Sequence, residues 1–222
     1  MLLLEPKCGM SLVSPGRIVG GEAVKAHSLP WMVRTGQDCG ECGGTLISKR
    51  HILTAAHCSG NHDNMTVWVG QHTIVPMDGI PITVCKVRSH PMWNGITWHG
   101  YDFQILHLYQ DVELNEKVQI ACLPTKNDGL DDGSLDGKRL FASGWGDQKH
   151  DLDSDTCPNE LHSVELPGYS NGRCQNESDY GRIDQIDWES DRVHTLMCAG
   201  EEGKDACQGD SGGNKKYFYD NV

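Results

Sequence analysis

No apolar run in the 222-residue chain reaches the roughly 20 residues that a membrane-spanning helix requires, so no membrane partner is expected. Positive charge is also in short supply. Nineteen Lys and Arg face 31 Asp and Glu, and the formal net charge of −12 argues against a phosphate backbone, hence against nucleic acid, as a partner. No segment keeps a helical apolar period, and no internal repeat is present. A secretory leader is not visible either. Met1-Leu2-Leu3-Leu4 is broken at once by Glu5, Pro6 and Lys7, too short a run for a signal core. The expectation is that the start is missing or that Leu2–Leu4 is the remnant of a longer leader.

What is abundant is cysteine. Ten in a chain of ordinary composition point to an oxidising compartment and an extracellular location. Asn64-Met65-Thr66 and Asn176-Glu177-Ser178 are glycosylation sequons, which agree with that location. The length suits one large domain or two small ones. The 26 Gly and 9 Pro are spread as punctuation between short strands rather than gathered in a linker. From Trp31 onward "WMVRTG", "GTLISKRHILTAAHC", "MTVWVGQHTIV", "ITVCKVRSH", "DFQILHLYQ", "VQIACLP", "KRLFASGWG" and "LHSVELPGY" read as strands rich in β-branched and aromatic residues. "ISKRHIL" reads as a tight hairpin between Ile47 and Ile52. This spacing predicts a sandwich or barrel. Thr125–Gly137, polar and rich in Gly and Asp, is a candidate inter-domain crossing, and its spacing does not fit an EF-hand.

Near the end, "GDSGG" matches the G-x-S-x-G elbow of α/β-hydrolases. That chemistry needs an acid and then a histidine after the serine. Asp220 follows Ser211, but no histidine does, so that reading fails. The order His, Asp, Ser remains, with His57 in "LTAAHC" and Asp102 in "YDFQILHL" upstream. Together with "RIVGGEAV", "PWMV", "CGGTLIS", "ASGWG", "MCAG" and "DACQGDSGG", these segments resemble the trypsin-like serine proteases of chymotrypsin fold, in that family's order and spacing. The resemblance runs from Cys8 to Gly213.

The resemblance implies an all-β fold of two antiparallel six-stranded β-barrels. Residues 1–17 would be a propeptide, 18–124 the N-terminal barrel and 125–222 the C-terminal barrel. It implies hydrolysis of peptide bonds after Arg or Lys, with no cofactor. His57 would be the base that activates the Ser211 hydroxyl, and Asp102 would fix its tautomer. Gly209 and Ser211 would give backbone N–H donors to the oxyanion, each worth about 2.7–4 kcal/mol in the transition state. Asp205, six residues before Ser211, would form the base of a pocket for a basic side chain. Arg17-Ile18 would be an activation bond whose cleavage lets the Ile18 amine pair with Asp210. The expected partners are protein or peptide substrates and protein inhibitors, and the chain is expected to be a monomer.

The family pattern implies Cys42–Cys58, Cys174–Cys198 and Cys8–Cys122 as disulfides, leaving Cys39, Cys85, Cys157 and Cys207. A Cys39–Cys85 bridge stays open. "CGEC" is disfavoured as a redox or zinc motif, because Cys42 already has an implied partner and no second ligand pair follows. "VGQHTIVPMDGIPITV" lines up with the family's calcium loop. Gln71 replaces the leading carboxylate and no Glu follows, so no metal is expected. The chain as printed stops 11 residues after Ser211. From this follows an expectation that the second barrel is incomplete at the C-terminus, without the usual partner of Cys207, and that catalysis is impaired. The alternative to a protease is then a homologue that acts as a binding module or does not fold stably.

Overall fold

In the computed structural model, which describes residues 7–14, 21–36, 41–59, 65–125, 135–147, 157–177, 195–201 and 210–217, the β-branched runs become short antiparallel strands. Six of them close on themselves: β2 (Met32–Arg34), β3 (Gly43–Ser48), β4 (His51–Thr54), β7 (Gln104–Leu108), β6 (Ile80–Ser89) and β5 (Thr66–Val69), in that spatial order. Alternation drives the closure. In β7, Gln104, Leu106 and Leu108 point inward, while Ile105 and His107 take the half-buried outer positions. Val33, Leu46, Ile52, Val84, Leu106 and Leu108 are wholly buried, each such side chain contributing about 1.5–3 kcal/mol relative to exposure. The hairpin read in "ISKRHIL" is the β3–β4 pair, with Ser48 opposite His51 and the Ser48 hydroxyl accepting the Arg50 N–H.

A second, five-stranded sheet runs β1 (Glu22–Ala23), β9 (His162–Tyr169), β8 (Arg139–Gly144), β11 (Asn214–Tyr217), with β10 (Cys198–Ala199) also on β9. Glu22 pairs with Ser163, so this stretch of residues 18–124 joins the second sheet rather than the first barrel. Trp145 and Leu161 share one buried cluster with barrel residues such as Val67 and Val69, and the two cores are continuous. The seam is also hydrogen-bonded. Trp145 Nε1 and the Leu161 N–H donate to the His72 carbonyl at 3.0 and 2.9 Å. The Asn159 side chain pairs in both directions with the Val75 backbone.

Three sequence readings are modified. "VQIACLP" forms no strand. It runs beside the barrel with single backbone bonds from Gln119 to Pro30 and from Ala121 to Leu46, too few in a row for a ladder. The helix α2 (Asn171–Glu177), after the short helix α1 (Ala56–Ser59), was not foreseen, since seven residues are too few to show a period. Cys85 is an exposed free thiol and Cys157 is disulfide-bonded, so Cys39–Cys85 is not a bridge. The other three pairings stand: Cys8–Cys122, Cys42–Cys58 and Cys174–Cys198. No helix among the described residues is long and apolar enough to cross a membrane.

Candidate active site

His57 and Asp102 come from separate elements that the barrel brings together. β4 ends at Thr54 and leads into α1, which carries His57, while Asp102 lies two residues before β7. Pairing of β4 with β7, with Thr54 opposite Gln104, sets these two ends side by side. Cys42–Cys58 ties the residue after His57 to the residue before β3. Asp102 then receives two bonds from one residue. Its Oδ2 lies 2.6 Å from His57 Nδ1, and its Oδ1 accepts the His57 backbone N–H at 2.9 Å. The ring is thus held at one nitrogen, and Nε2 is left for chemistry.

The electrostatics follow from those bonds. The hydrogen bond to Asp102 raises the His57 pKa above 6.5. Burial works against this, and the carboxylate charge adds to it. For Asp102, burial alone would push the carboxyl up. The His57 ring and amide and the Ala56 amide outweigh burial and hold it below the ordinary carboxylate range. His57 keeps 37% of its side-chain surface exposed against 20% for Asp102.

Ser211 lies in the turn Asp210–Gly213, which rests against the same corner of the barrel. Its carbonyl accepts the Gly43 N–H at 2.7 Å. A side chain at Gly43 would come within 2.9 Å of the Gly213 Cα. Gly212 has φ +72°, and a Cβ there would overlap Thr54 Oγ1 and approach the Gly43 carbonyl to 2.5 Å. Thr54 Oγ1 itself donates to the Gly43 carbonyl in a buried bond of 2.8 Å. The backbone of the serine turn is therefore packed on β3 and on the strand that runs into His57. Asp210 turns the other way, toward β8, and its Oδ1 accepts the Gly146 N–H at 2.8 Å.

His57, Asp102, Asp210 and Ser211 thus fall in one region. Arg17, Ile18, Asp205 and Gly209, together with Cys39 and Cys207, lie outside the described residues. Gly43, Thr54 and Gly146 were not foreseen as parts of the site. Their signal lay in the segments already quoted, Gly43 in "CGGTLIS", Thr54 in "LTAAHC" and Gly146 in "ASGWG". Cys42, His57 and Cys58 bring ligand-type atoms within 4.8 Å of one another, but the two sulfurs are joined as a disulfide and offer no thiolate. In the loop aligned with calcium loops, Asp78 Oδ1 accepts the amides of His72 and Thr73 at 2.8 and 2.9 Å, so the carboxylate closes the loop.

The chain is 35% identical to the venom serine protease Bi-VSP of Bombus ignitus over 95% of its length, and spans 60% of that protein. It is 35% identical to the clotting factor G beta subunit of Tachypleus tridentatus over 96% of its length, spanning 69% of that protein. It is 34% identical to chymotrypsin-like elastase family member 1 of Bos taurus, covering 89% of this chain and 72% of the relative. Among solved structures, the mouse brain serine protease neuropsin superposes with a TM-score of 0.70 at 28% identity, over 90% of this chain and 82% of that one. The sequence model of the trypsin family matches residues 18–214, and the chain belongs to that family of serine proteases.

Proposed function

We propose that the protein is an extracellular serine endopeptidase, made as a precursor, that cuts peptide bonds after Arg or Lys. The observation that carries the reading is the two-point hold of Asp102 on His57, next to the turn that bears Ser211. In the reaction, His57 Nε2 takes the proton from the Ser211 hydroxyl as its oxygen attacks the scissile carbonyl. The same proton passes to the leaving amine when the C–N bond breaks, and water then repeats the sequence on the acyl-enzyme. Asp102 stabilises the imidazolium that forms in between. The Gly209 and Ser211 amides would receive the oxyanion.

Specificity for a basic residue is inferred from Asp205. A carboxylate at the base of a narrow pocket favours a cationic side chain, because an apolar one leaves it unpaired. The family includes a relative named as a chymotrypsin-like elastase, so membership alone does not decide this point. Activation by cleavage at Arg17-Ile18 is inferred from "RIVGG" and from Asp210 next to the serine. The substrates are proteins or peptides, met by a monomer.

The test is hydrolysis of chromogenic amides by protein cut after Arg17. Whatever the absolute rate, we expect turnover of Arg and Lys amides at least tenfold above that of Ala, Leu and Phe amides, and none from the uncut form. The Ser211→Ala variant should fall to background. Activity that survives Ser211→Ala would overturn the nucleophile. Equal turnover of Arg and Leu amides would overturn the pocket assignment alone.

A further inference from the structure

On the outer face of the first barrel, away from the serine turn, His51 of β4 and His107 of β7 are direct cross-strand partners. Both take outer positions in the alternation of their strands. Their ring centroids are 4.7 Å apart at an interplanar angle of 77°. We propose that this pair is a binding site for a transition-metal dication of the imidazole-preferring kind, Zn²⁺, Ni²⁺ or Cu²⁺.

The chemistry is that of two neutral imidazoles presented from a rigid frame. Directly opposed residues in an antiparallel pair hold their Cβ atoms about 4.5–5.5 Å apart, a span one metal ion can bridge. The Ser48 hydroxyl oxygen lies 2.7 Å from His51 Nδ1; with the ring proton on Nδ1 and donated to that oxygen, the ring is oriented and the Nε2 lone pair is left as the ligand. Outer partners of this kind are what fix a metal-binding histidine. The His107 ring makes no hydrogen bond among the described residues. Burial, with His51, Arg88 and Lys86 as further causes, lowers its pKa from 6.5, which favours the neutral ring that a metal ion needs.

Two cations oppose the ion. Lys86 is the β6 partner of His107, and Arg88 follows two residues on. Both are exposed, so solvent and salt screen them, and they weaken the site without closing it. With two protein ligands, water completes the coordination, and binding is weaker than at a four-ligand structural zinc site. The location gives the ion leverage. β4 runs into His57 and β7 follows Asp102, so a metal joining His51 to His107 clamps together the two strands that deliver those residues. An ion that binds only the folded state stabilises it by mass action.

The experiment is thermal unfolding and titration of the whole metal-stripped protein with Zn²⁺. Zn²⁺ is expected to raise the Tm of the wild type. His51→Gln and His107→Gln should each weaken Zn²⁺ binding about tenfold or more and remove the Tm shift. His99→Gln, which lies off the pair, should keep the shift. Lys86→Ala retains both ligands and should tighten binding, so the site is tested even where a histidine variant folds poorly. A wild type with no Zn²⁺-dependent shift overturns the proposal. So does a shift that survives in both histidine variants, or a Lys86→Ala protein that binds no more tightly than wild type.

Discussion

Asp102 acts on His57 through an ionic hydrogen bond to the ring and a second bond to the backbone, and the two have different consequences. The backbone bond positions the residue whatever its charge. The ring bond raises the proton affinity, so His57 is protonated to a higher pH than a free imidazole. In the proposed role of base His57 must be neutral to act, so activity should rise with pH along a limb that lies above 6.5. Asp102→Asn keeps a side chain of the same shape but removes the anion. The limb should then move to lower pH, and kcat should fall by the roughly 10⁴-fold typical of serine-protease triads. A pH–rate profile checks both. A variant with the wild-type limb would show that Asp102 does not set the His57 pKa. The same pair has a stability signature of opposite signs. The depressed Asp102 pKa gives stability that is present above 3.8 and lost as pH falls through the folded value. The raised His57 pKa gives stability that is present below 6.5 and lost as pH rises through its folded value.

At the scale of elements, the Asp210–Gly213 turn depends on close backbone approach to β3 and β4, and glycine makes that approach available. Gly212 combines φ +72° with contact to Thr54 and Gly43. Gly212→Ala should therefore cost about 1–2 kcal/mol for the left-handed conformation, with the steric conflict in addition. The loss should be larger in kcat/KM than in stability, because the turn that shifts carries Ser211. Amide turnover measured beside urea unfolding separates the two. An alanine variant with wild-type turnover would show that the serine position does not rely on this packing. This packing was only partly legible in the sequence. "GDSGG" and "CGG" marked both sides of the contact, yet no local pattern says that Gly43 meets Gly213, which lies 170 residues away. The strands of the first barrel were legible because β-branched alternation is a local property, as in "QILHL". The helix α2 was not, being too short for a period. Nor was the failure of "VQIACLP" to pair, because whether an extended segment meets a ladder is settled by its neighbours.

Across the whole molecule, the first barrel and the second sheet share a core and meet along a seam built on His72, whose carbonyl accepts from Trp145 and Leu161. The histidines at this seam were invisible as a group in the sequence, since His27 and His72 are 45 residues apart. Their rings meet edge to face with centroids 6.1 Å apart, and the Nδ1 atoms of both are buried without a hydrogen bond to any described residue. Burial comes first among the causes that hold the His27 pKa below 6.5, with Lys117 and His72 in the same sense and Asp78 and Glu116 against. Glu160, 3.7 Å from His72 Nε2, is a further acid at the seam. A lowered histidine pKa means that the unfolded chain binds the proton more readily. The stability His27 contributes is therefore whole above 6.5 and declines as pH falls from there toward its folded value. His107, also lowered, works in the same direction, and His57, raised, works against it, so the total slope is not diagnostic. The difference between wild type and His27→Asn is. Asparagine accepts the φ of +60° at this position better than other side chains and does not titrate. Urea unfolding at pH 7.5 and 5.5 should show the wild type losing more stability on acidification than the variant does. Equal losses would mean that His27 takes up its proton without disturbing the seam, and that the two halves are not joined through a pH-sensitive contact.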